Sequence, residues 1–475
     1  MIPRIVATPL APLALPRKGK PRRVSPEVVA AALPGPGRDR LAQGDVLAVT
    51  TGQQPGLLTG PLYTIYKALS AVALAQRLER DWQVPVVPVF WVAGDDHDFA
   101  EANHVAVLDA QGALAELRLR DRPPDAPLVP LARELCGPEI AAVLDALTQA
   151  IPQTEFKPQV LEWLAGTYRP DVSLADAFAA ALQALLGARG LVVLRAHARE
   201  AKVAAAAAIL RALPITLPDG HTPVLVTARQ GRDRLRTEGD GWVTRRSGER
   251  FTRADVERIA REEPDRLSPN VLLRPVIEAT LLPTVAYAGG PAELGYLPDA
   301  APLYPVVAPG VTPQAPVPRW SGVLVDGRVD KLMDRHSLGL ADLDGRPGEL
   351  EARLMRATLP PETEARFSEI KGSLEQEYGA LAEAVKRVDP TLERPVQSAR
   401  NSALAGVQEV EKKLLASLKR DNETLLRQLG YARAAIWPRG EPQERVLTLA
   451  SFLIRYGPDL VDALAREVAR WADAP

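Results

Sequence analysis

One cysteine, Cys136, stands in 475 residues. An internal disulfide framework is thereby excluded, and the chain suits a reducing compartment. The thiol sits in LARELCGPE with no histidine near it in sequence, so a buried inert side chain is a better reading than a nucleophile. Net charge is equally scarce, with 58 Lys and Arg against 59 Asp and Glu. No global field draws the protein to nucleic acid or to an anionic membrane, although local patches can hold anions. No stretch supplies the roughly 18 uninterrupted apolar residues of a membrane span. The opening MIPRIVATPLAPLALPRKGK has its positive charges after a proline-broken apolar run, the reverse of a secretory signal. A cytoplasmic protein without a nucleic-acid or membrane partner is expected. Internal repeats and low-complexity tracts are also lacking.

What is present is an ordinary globular composition, 46% hydrophobic and 25% charged, in a chain too long for one compact core. Two or three structural units follow. The 44 prolines cluster in loops and element starts up to Pro318, then thin out between Pro361 and Pro438. That shift marks a domain boundary.

Before it, apolar runs alternate with helical segments. GDVLAVT ends at Thr50 in the turn residues TGQQPG, and a helix follows with Pro61 near its first position. Leu62, Ile65, Leu69 and Val72 then recur at helical spacing. VPVVPVFWVAG, ending at Gly94, is short, β-branched and aromatic, which predicts a buried strand. Similar runs are GLVVL (190–194), PVLVT (223–227), LPTVAYAGG (282–290) and SGVLVD (321–326). Together they predict an α/β fold with a mostly parallel, doubly wound sheet.

Between Pro361 and Gly430 the pattern changes. Leu374, Tyr378, Leu381, Val385 and Val388 recur at the 4-3-4-3 spacing of a coiled coil, and Val407, Val410, Leu414, Leu418 and Leu425 make a second run. Pro390 and Pro395 separate the runs, which predicts an antiparallel helical hairpin. Its arms would be on the order of 40 to 55 Å long. Each arm covers only one stripe of its mate, so a homodimer is expected in preference to a solvated, unpartnered hairpin. Lys412, Lys413, Lys419 and Arg420 suit the solvated face of such a coil better than an anion site. After Gly430, QERVLTLASFLIRYG is expected to pack back on the core.

Three segments are candidates for chemistry. Two of the five histidines, His97 and His104, fall within eight residues, among Asp95, Asp96, Asp98, Glu101 and Asn103. All follow the strand ending at Gly94, at the sheet edge where α/β proteins bind ligands. Four carboxylates this close repel one another unless a cation intervenes. Such a group suits a general base, a metal or a bound ammonium. Helix capping by Asp95 or Asp98 would explain one acid, not the set.

The second segment, Thr51–Lys67, has Gly52, Gly56 and Gly60 before a helix start, whose N–H groups suit an anion. It lacks the Gly-Lys-Ser/Thr ending of a P-loop and is not GxGxxG. A plain strand-to-helix turn stays open. Tyr63 and Lys67 share one helical face. In the third, SPNVLLRP with AYAGGPAELGY, Gly289-Gly290 follows a strand and Glu293 falls in a first helical turn, while Asn270 and Arg274 interrupt apolar surroundings. A guanidinium fork suits a carboxylate or phosphate, and a structural salt bridge is the alternative.

TGQQPGLLTGPLYTIYK, VFWVAGDDHDFAEANHV, SPNVLLRP with LLPTVAYAGGPAELGY, and the C-terminal EKKLLASLKRDNETLLRQL and QERVLTLASFLIRYG together resemble the cysteine ligase of bacillithiol biosynthesis, the BshC family. The resemblance spans nearly the whole chain. It implies a Rossmann-like catalytic core with inserts over 1–345, a coiled-coil hairpin over 346–432 that dimerises, and a C-terminal helical segment over 433–475. It implies a ligase that joins cysteine to the sugar amine of glucosaminyl malate, in the last step of the pathway. Catalytic roles carry over to Asp95, Asp96, His97, Asp98 and Lys67. Substrate binding carries over to Gln53, Gln54, Gly60, Tyr63, Glu101, Asn270, Arg274, Gly289, Gly290 and Glu293. No metal ligand is assigned. The chain departs from the family pattern at Pro55, Ala292 and Gly295-Tyr296.

Amide formation from a free carboxylate in water is uphill, so cysteine's carboxylate needs activation. ATP with magnesium is the simplest route, although no motif announces it. On this reading Lys67 or Arg274 stabilises negative charge, and His97, oriented by a neighbouring carboxylate, accepts a proton from the amine. A metal-dependent hydrolase using the Asp95–His104 group, or a non-enzymatic coiled-coil interaction protein, are the alternatives.

Overall fold

The computed structural model describes residues 2–8, 13–345, 348–357 and 361–474, except for the side chains of residues 361 and 419–421. The side chains of Lys419 and Arg420 thus lie outside the described residues. Two compact units divide the chain: one runs to Leu324 and resumes at Glu441, and the other is Val325–Gly440. Among the described residues no helix is long and apolar enough to cross a membrane.

In the first unit, strands β1 (Asp45–Gln53), β2 (Val86–Val92) and β3 (Val192–Arg195) precede β4 (His221–Ala228), β5 (Gly231–Glu238), β6 (Gly241–Thr244), β7 (Arg250–Phe251) and β8 (Leu267–Pro269). Strands β9 (Thr284–Gly289) and β10 (Ala315–Pro318) follow. The main sheet has the order β10-β9-β1-β2-β3 with every neighbour parallel. The short strand Arg22–Arg23 joins β1 antiparallel. Parallel strands are covered on both faces and therefore carry unbroken apolar runs. Strand β2 obeys this, with every residue of VVPVFWV buried. Its Pro88, which has no N–H to give, lies just before Val89, the first residue paired with β3.

Helices α1 (Leu62–Trp82), α2 (Phe99–Ala102), α3 (Arg199–Ala212), α4 (Arg274–Leu281) and α5 (Pro291–Ala300) connect these strands. Most of α1 is buried on all sides, between the sheet and the C-terminal helix Asp459–Asp473. Two apolar runs fall elsewhere than a single doubly wound sheet would put them. PVLVT lies in β4, within a separate antiparallel sheet of order β7-β6-β5-β4-β8. SGVLVD supplies Gly322–Val325, which pairs with Arg4–Ala7 in a two-stranded sheet. A short apolar run announces burial without naming its strand partner.

The second unit is helical beyond Val325. Helices α6 (Pro361–Lys386) and α7 (Glu393–Asp421) pack on each other as the hairpin, and α8 (Glu423–Ile436) follows. Pro390 opens the 3-10 turn between the arms. Pro395 sits in the first turn of α7, where a missing N–H removes no helical bond. Lys371 bridges the arms to Glu411 at 2.5 Å. Leu374, Tyr378 and Val385 are half-buried in the seam.

Candidate active site

Strands β1, β2 and β9 end at Gln53, Val92 and Gly289, and outside their carboxyl ends opens a cleft of about 730 Å³. All three segments reach its wall: Gln53, Gln54, Tyr63 and Lys67, then Asp95, Asp96 and His97, then Asn270, Arg274, Gly290 and Glu293. Gly60, Asp98, Glu101 and Gly289 do not line it.

Lys67 projects from the buried body of α1. Its ammonium donates to Gly52 O at 3.0 Å and Gln53 Oε1 at 2.8 Å, and it pairs with the Glu293 carboxylate. Burial pulls this amine down to about 8 against the opposing pull of Glu293. Burial pushes the Glu293 carboxyl up, but Lys67 outweighs it, so Glu293 stays below its ordinary range. Glu293 also accepts from Tyr287 Oη at 2.7 Å and from the Gly290 N–H at 3.0 Å. Gln53 Nε2 donates to Tyr63 Oη at 3.1 Å. Arg274, the first residue of α4, lies 4.8 Å from the centroid of the Tyr287 ring and gives Nη1 to Glu278 at 2.9 Å. Its Nη2 is buried without a partner.

The start of α1 is not the open anion site its glycines suggest. The Leu62 N–H donates to Leu447 O at 2.9 Å, and the Thr59 N–H to Tyr168 Oη at 2.8 Å. Thr448 Oγ1 donates to Leu58 O at 2.8 Å. The C-terminal segment therefore covers the turn, and Gly60, with φ of +69°, serves the chain reversal.

Gly94 sets the second group in place. A Cβ there would stand 2.3 Å from His197 Nδ1, so only glycine leaves room for the turn. Asp95 Oδ2 then meets Lys202 Nζ at 2.5 Å. Asp96 Oδ1 accepts the N–H groups of His97 at 2.6 Å and Asp98 at 3.2 Å. Asp98 is exposed and caps α2, accepting the Glu101 N–H at 3.1 Å. Each of these three aspartates has its own cation or N–H, so they do not crowd one space. Arg122 Nη1 holds His97 O at 2.8 Å.

His97 Nδ1 lies 3.3 Å from Arg232 Nη1 and 3.8 Å from Asp96 Oδ1. A guanidinium only donates, so Nδ1 accepts and the neutral ring carries its proton on Nε2. The ring is thus oriented by an arginine, where the sequence suggested a carboxylate. Burial and then the Arg232 charge push His97 below its ordinary value, against Asp96 and Asp98. His104 turns to Ala100 O at 3.0 Å and Asn103 Oδ1 at 3.1 Å, away from the cleft wall. Burial pushes the Cys136 thiol up to about 12, which leaves no thiolate for chemistry. Among the described residues no group of three or more His, Cys, Asp or Glu is disposed to hold a metal ion.

Residues 38–216 and 214–310 match the N-terminal Rossmann-like domain of bacillithiol biosynthesis BshC, and residues 322–470 match its C-terminal coiled-coil domain. The chain belongs to the BshC family. A BshC protein of Salinibacter ruber is 32% identical over 466 residues, covering 90% of this chain and 81% of that protein. One of Heliobacterium modesticaldum is 32% identical over 469 residues, covering 92% and 83%. One of Solibacter usitatus is 33% identical over 445 residues, covering 90% and 83%. Each of the three bears the name "Putative cysteine ligase BshC". The Rossmann-like core and the coiled coil implied by the resemblance are both present.

In this BshC chain several cleft residues carry no signal in the sequence. Arg232 on β5 donates Nε to Ser268 Oγ at 2.9 Å and Nη2 to Pro269 O at 2.8 Å, besides its contact with His97. Lys202, which holds Asp95 from behind the cleft wall, comes from α3. Arg319 follows β10, and Arg445 lies on the short helix α9 (Gln443–Val446). Strand alternation puts Arg232 and Arg234 on one face, but nothing in spacing connects that face to the Asp95–His97 turn.

Proposed function

We propose that this BshC chain joins cysteine to the amine of glucosaminyl malate, the last step of bacillithiol biosynthesis. One observation carries the reading: acids, an imidazole and cations from three distant segments line a single cleft. Asp96, whose Oδ1 is held by backbone N–H groups, turns its other oxygen to the substrate amine and takes its proton. His97 donates from Nε2 to the carbonyl oxygen as negative charge develops there. Lys67 and Arg274 add positive potential, and Gln53, Gln54, Tyr63 and Asn270 position the sugar. Glu101 and Asp98 act from outside the wall by fixing the turn that carries His97.

ATP with magnesium would supply the activation of cysteine's carboxylate, and the phosphate or AMP on the activated carboxyl would leave, with cleavage of its C–O bond, as the amide forms. The wall suits phosphate, because Arg274 Nη2 and Arg319 Nε are buried donors without partners. Magnesium commonly arrives on substrate phosphates with few protein ligands. The hydrolase reading is weaker, since Asp95 is engaged by Lys202 and His97 Nδ1 by Arg232. The functional form is a homodimer paired through the hairpin, in the cytoplasm.

The test is to incubate purified protein with glucosaminyl malate, cysteine and ATP-magnesium and to weigh the product. Bacillithiol is expected, with His97→Ala slower by about a hundredfold, the scale of one oxyanion donor. A variant as fast as the parent removes His97 from this role, and no product from the parent overturns the ligase reading.

A further inference from the structure

We propose that Arg319 and Arg445 form an anion subsite on the cleft wall, taking a carboxylate or phosphate of the bound substrate. Arg319 is only 7% exposed, and its guanidinium is locked on Glu444 at 3.1 and 2.5 Å and on Trp320 O at 2.9 Å. That clamp uses Nη1 and Nη2 and leaves Nε buried without a partner. A buried N–H lacking an acceptor is costly, and native proteins keep few of them. Its place is informative: a Cβ built on Gly290, itself on the cleft wall, would stand 3.8 Å from this Nε. Nε thus lies just behind the wall at Gly290, where a methyl would sit against it.

Arg445 is the second half. It also lines the cleft, is exposed, and makes no side-chain hydrogen bond or ion pair among the described residues. Both guanidiniums act electrostatically on the Tyr63 phenol, and Arg319 lies 5.8 Å from the centroid of that ring. Glu444 neutralises Arg319, so Arg445 contributes a full uncompensated charge beside a fixed, directed donor. A planar oxyanion can take Nε on one side and the mobile Arg445 fork on the other. The neighbouring Lys67 is already committed to Glu293, and the start of α1 is closed. Together with Arg274 Nη2, this corner therefore gives the cleft cationic capacity to spare.

The subsite rests on the ligase reading only for the molecule that owns the anion: a malyl carboxylate or a nucleotide phosphate. Binding without turnover separates the two questions. We would titrate full-length protein by calorimetry with L-malate and, separately, with inorganic tripolyphosphate. Arg445→Gln is expected to weaken one of them by at least about tenfold, with Arg445→Lys recovering part of the loss. Because Arg445 is exposed and unpartnered, its variants should melt with the parent. Gly290→Ala, whose methyl meets only ordinary contacts at 3.6 and 3.8 Å, should weaken the same ligand by covering Nε. A selective loss for malate assigns the carboxylate, and a selective loss for tripolyphosphate assigns the phosphate. Either supports the subsite even where the product assay fails. Parent protein that binds neither anion, or variants that bind both as well as the parent does, overturns it.

Discussion

At the scale of residues, most charges of the cleft are held by a partner. Lys67 answers Glu293, Asp95 answers Lys202, Arg274 answers Glu278, and Arg319 answers Glu444. His97 differs, because the group fixing its ring is a cation. A depressed imidazole resists protonation in the folded state, while the unfolded chain titrates near the ordinary value of about 6.5. Its contribution to stability is thus fully present above that pH and is lost as pH falls toward the depressed folded value. We expect His97→Gln, which cannot titrate, to show a shallower loss of stability between pH 7 and pH 5 than the parent in urea unfolding. Parallel losses in the two proteins would mean that His97 is not held neutral. The acids and imidazole of this turn were legible in the sequence because they crowd together directly after a buried strand. Arg232 was not: it lies 135 residues from His97, and an arginine on a half-solvated strand is unremarkable. The same holds for Arg445, one of two charges in a four-residue helix.

At the scale of elements, strand β2 was readable from its unbroken apolar run and helix α1 from apolar residues at helical spacing. The hairpin was readable from its seam and from Pro390. What the runs did not disclose is pairing: β4 and Gly322–Val325 are as apolar as the parallel strands yet belong to other sheets. Nor did the glycines of Thr51–Gly60 disclose that Leu447 and Thr448 close over the turn. The hairpin itself bears on assembly. Leu381 is 47% exposed and Val410 57%, while Val388, expected in the seam, lies in the turn beyond Lys386 because the helix ends there. Apolar residues left open on the outside of a two-helix hairpin are what a second copy would cover. Light scattering at micromolar concentration should therefore give twice the mass of one chain. A single-chain mass would contradict the dimer.

At the scale of the molecule, a chain of net charge −1 concentrates cations in one place. Lys67, Arg232, Arg234, Arg274, Arg319 and Arg445 line the cleft against Asp95, Asp96, Asp219 and Glu293, six basic groups to four acidic. Every lining residue belongs to the unit that runs to Leu324 and resumes at Glu441. The cleft therefore lies wholly within the Rossmann-like unit, with the late C-terminal segment completing its wall, and the proposed chemistry would belong to that unit. On the proposed function, this cleft holds the substrates. The most direct measurement is a crystal structure of the protein with glucosaminyl malate and cysteine. Density should lie between the Asp96–His97 turn and the Lys67–Arg274 wall. Density for either substrate at another place, with the cleft holding only solvent, would contradict the account.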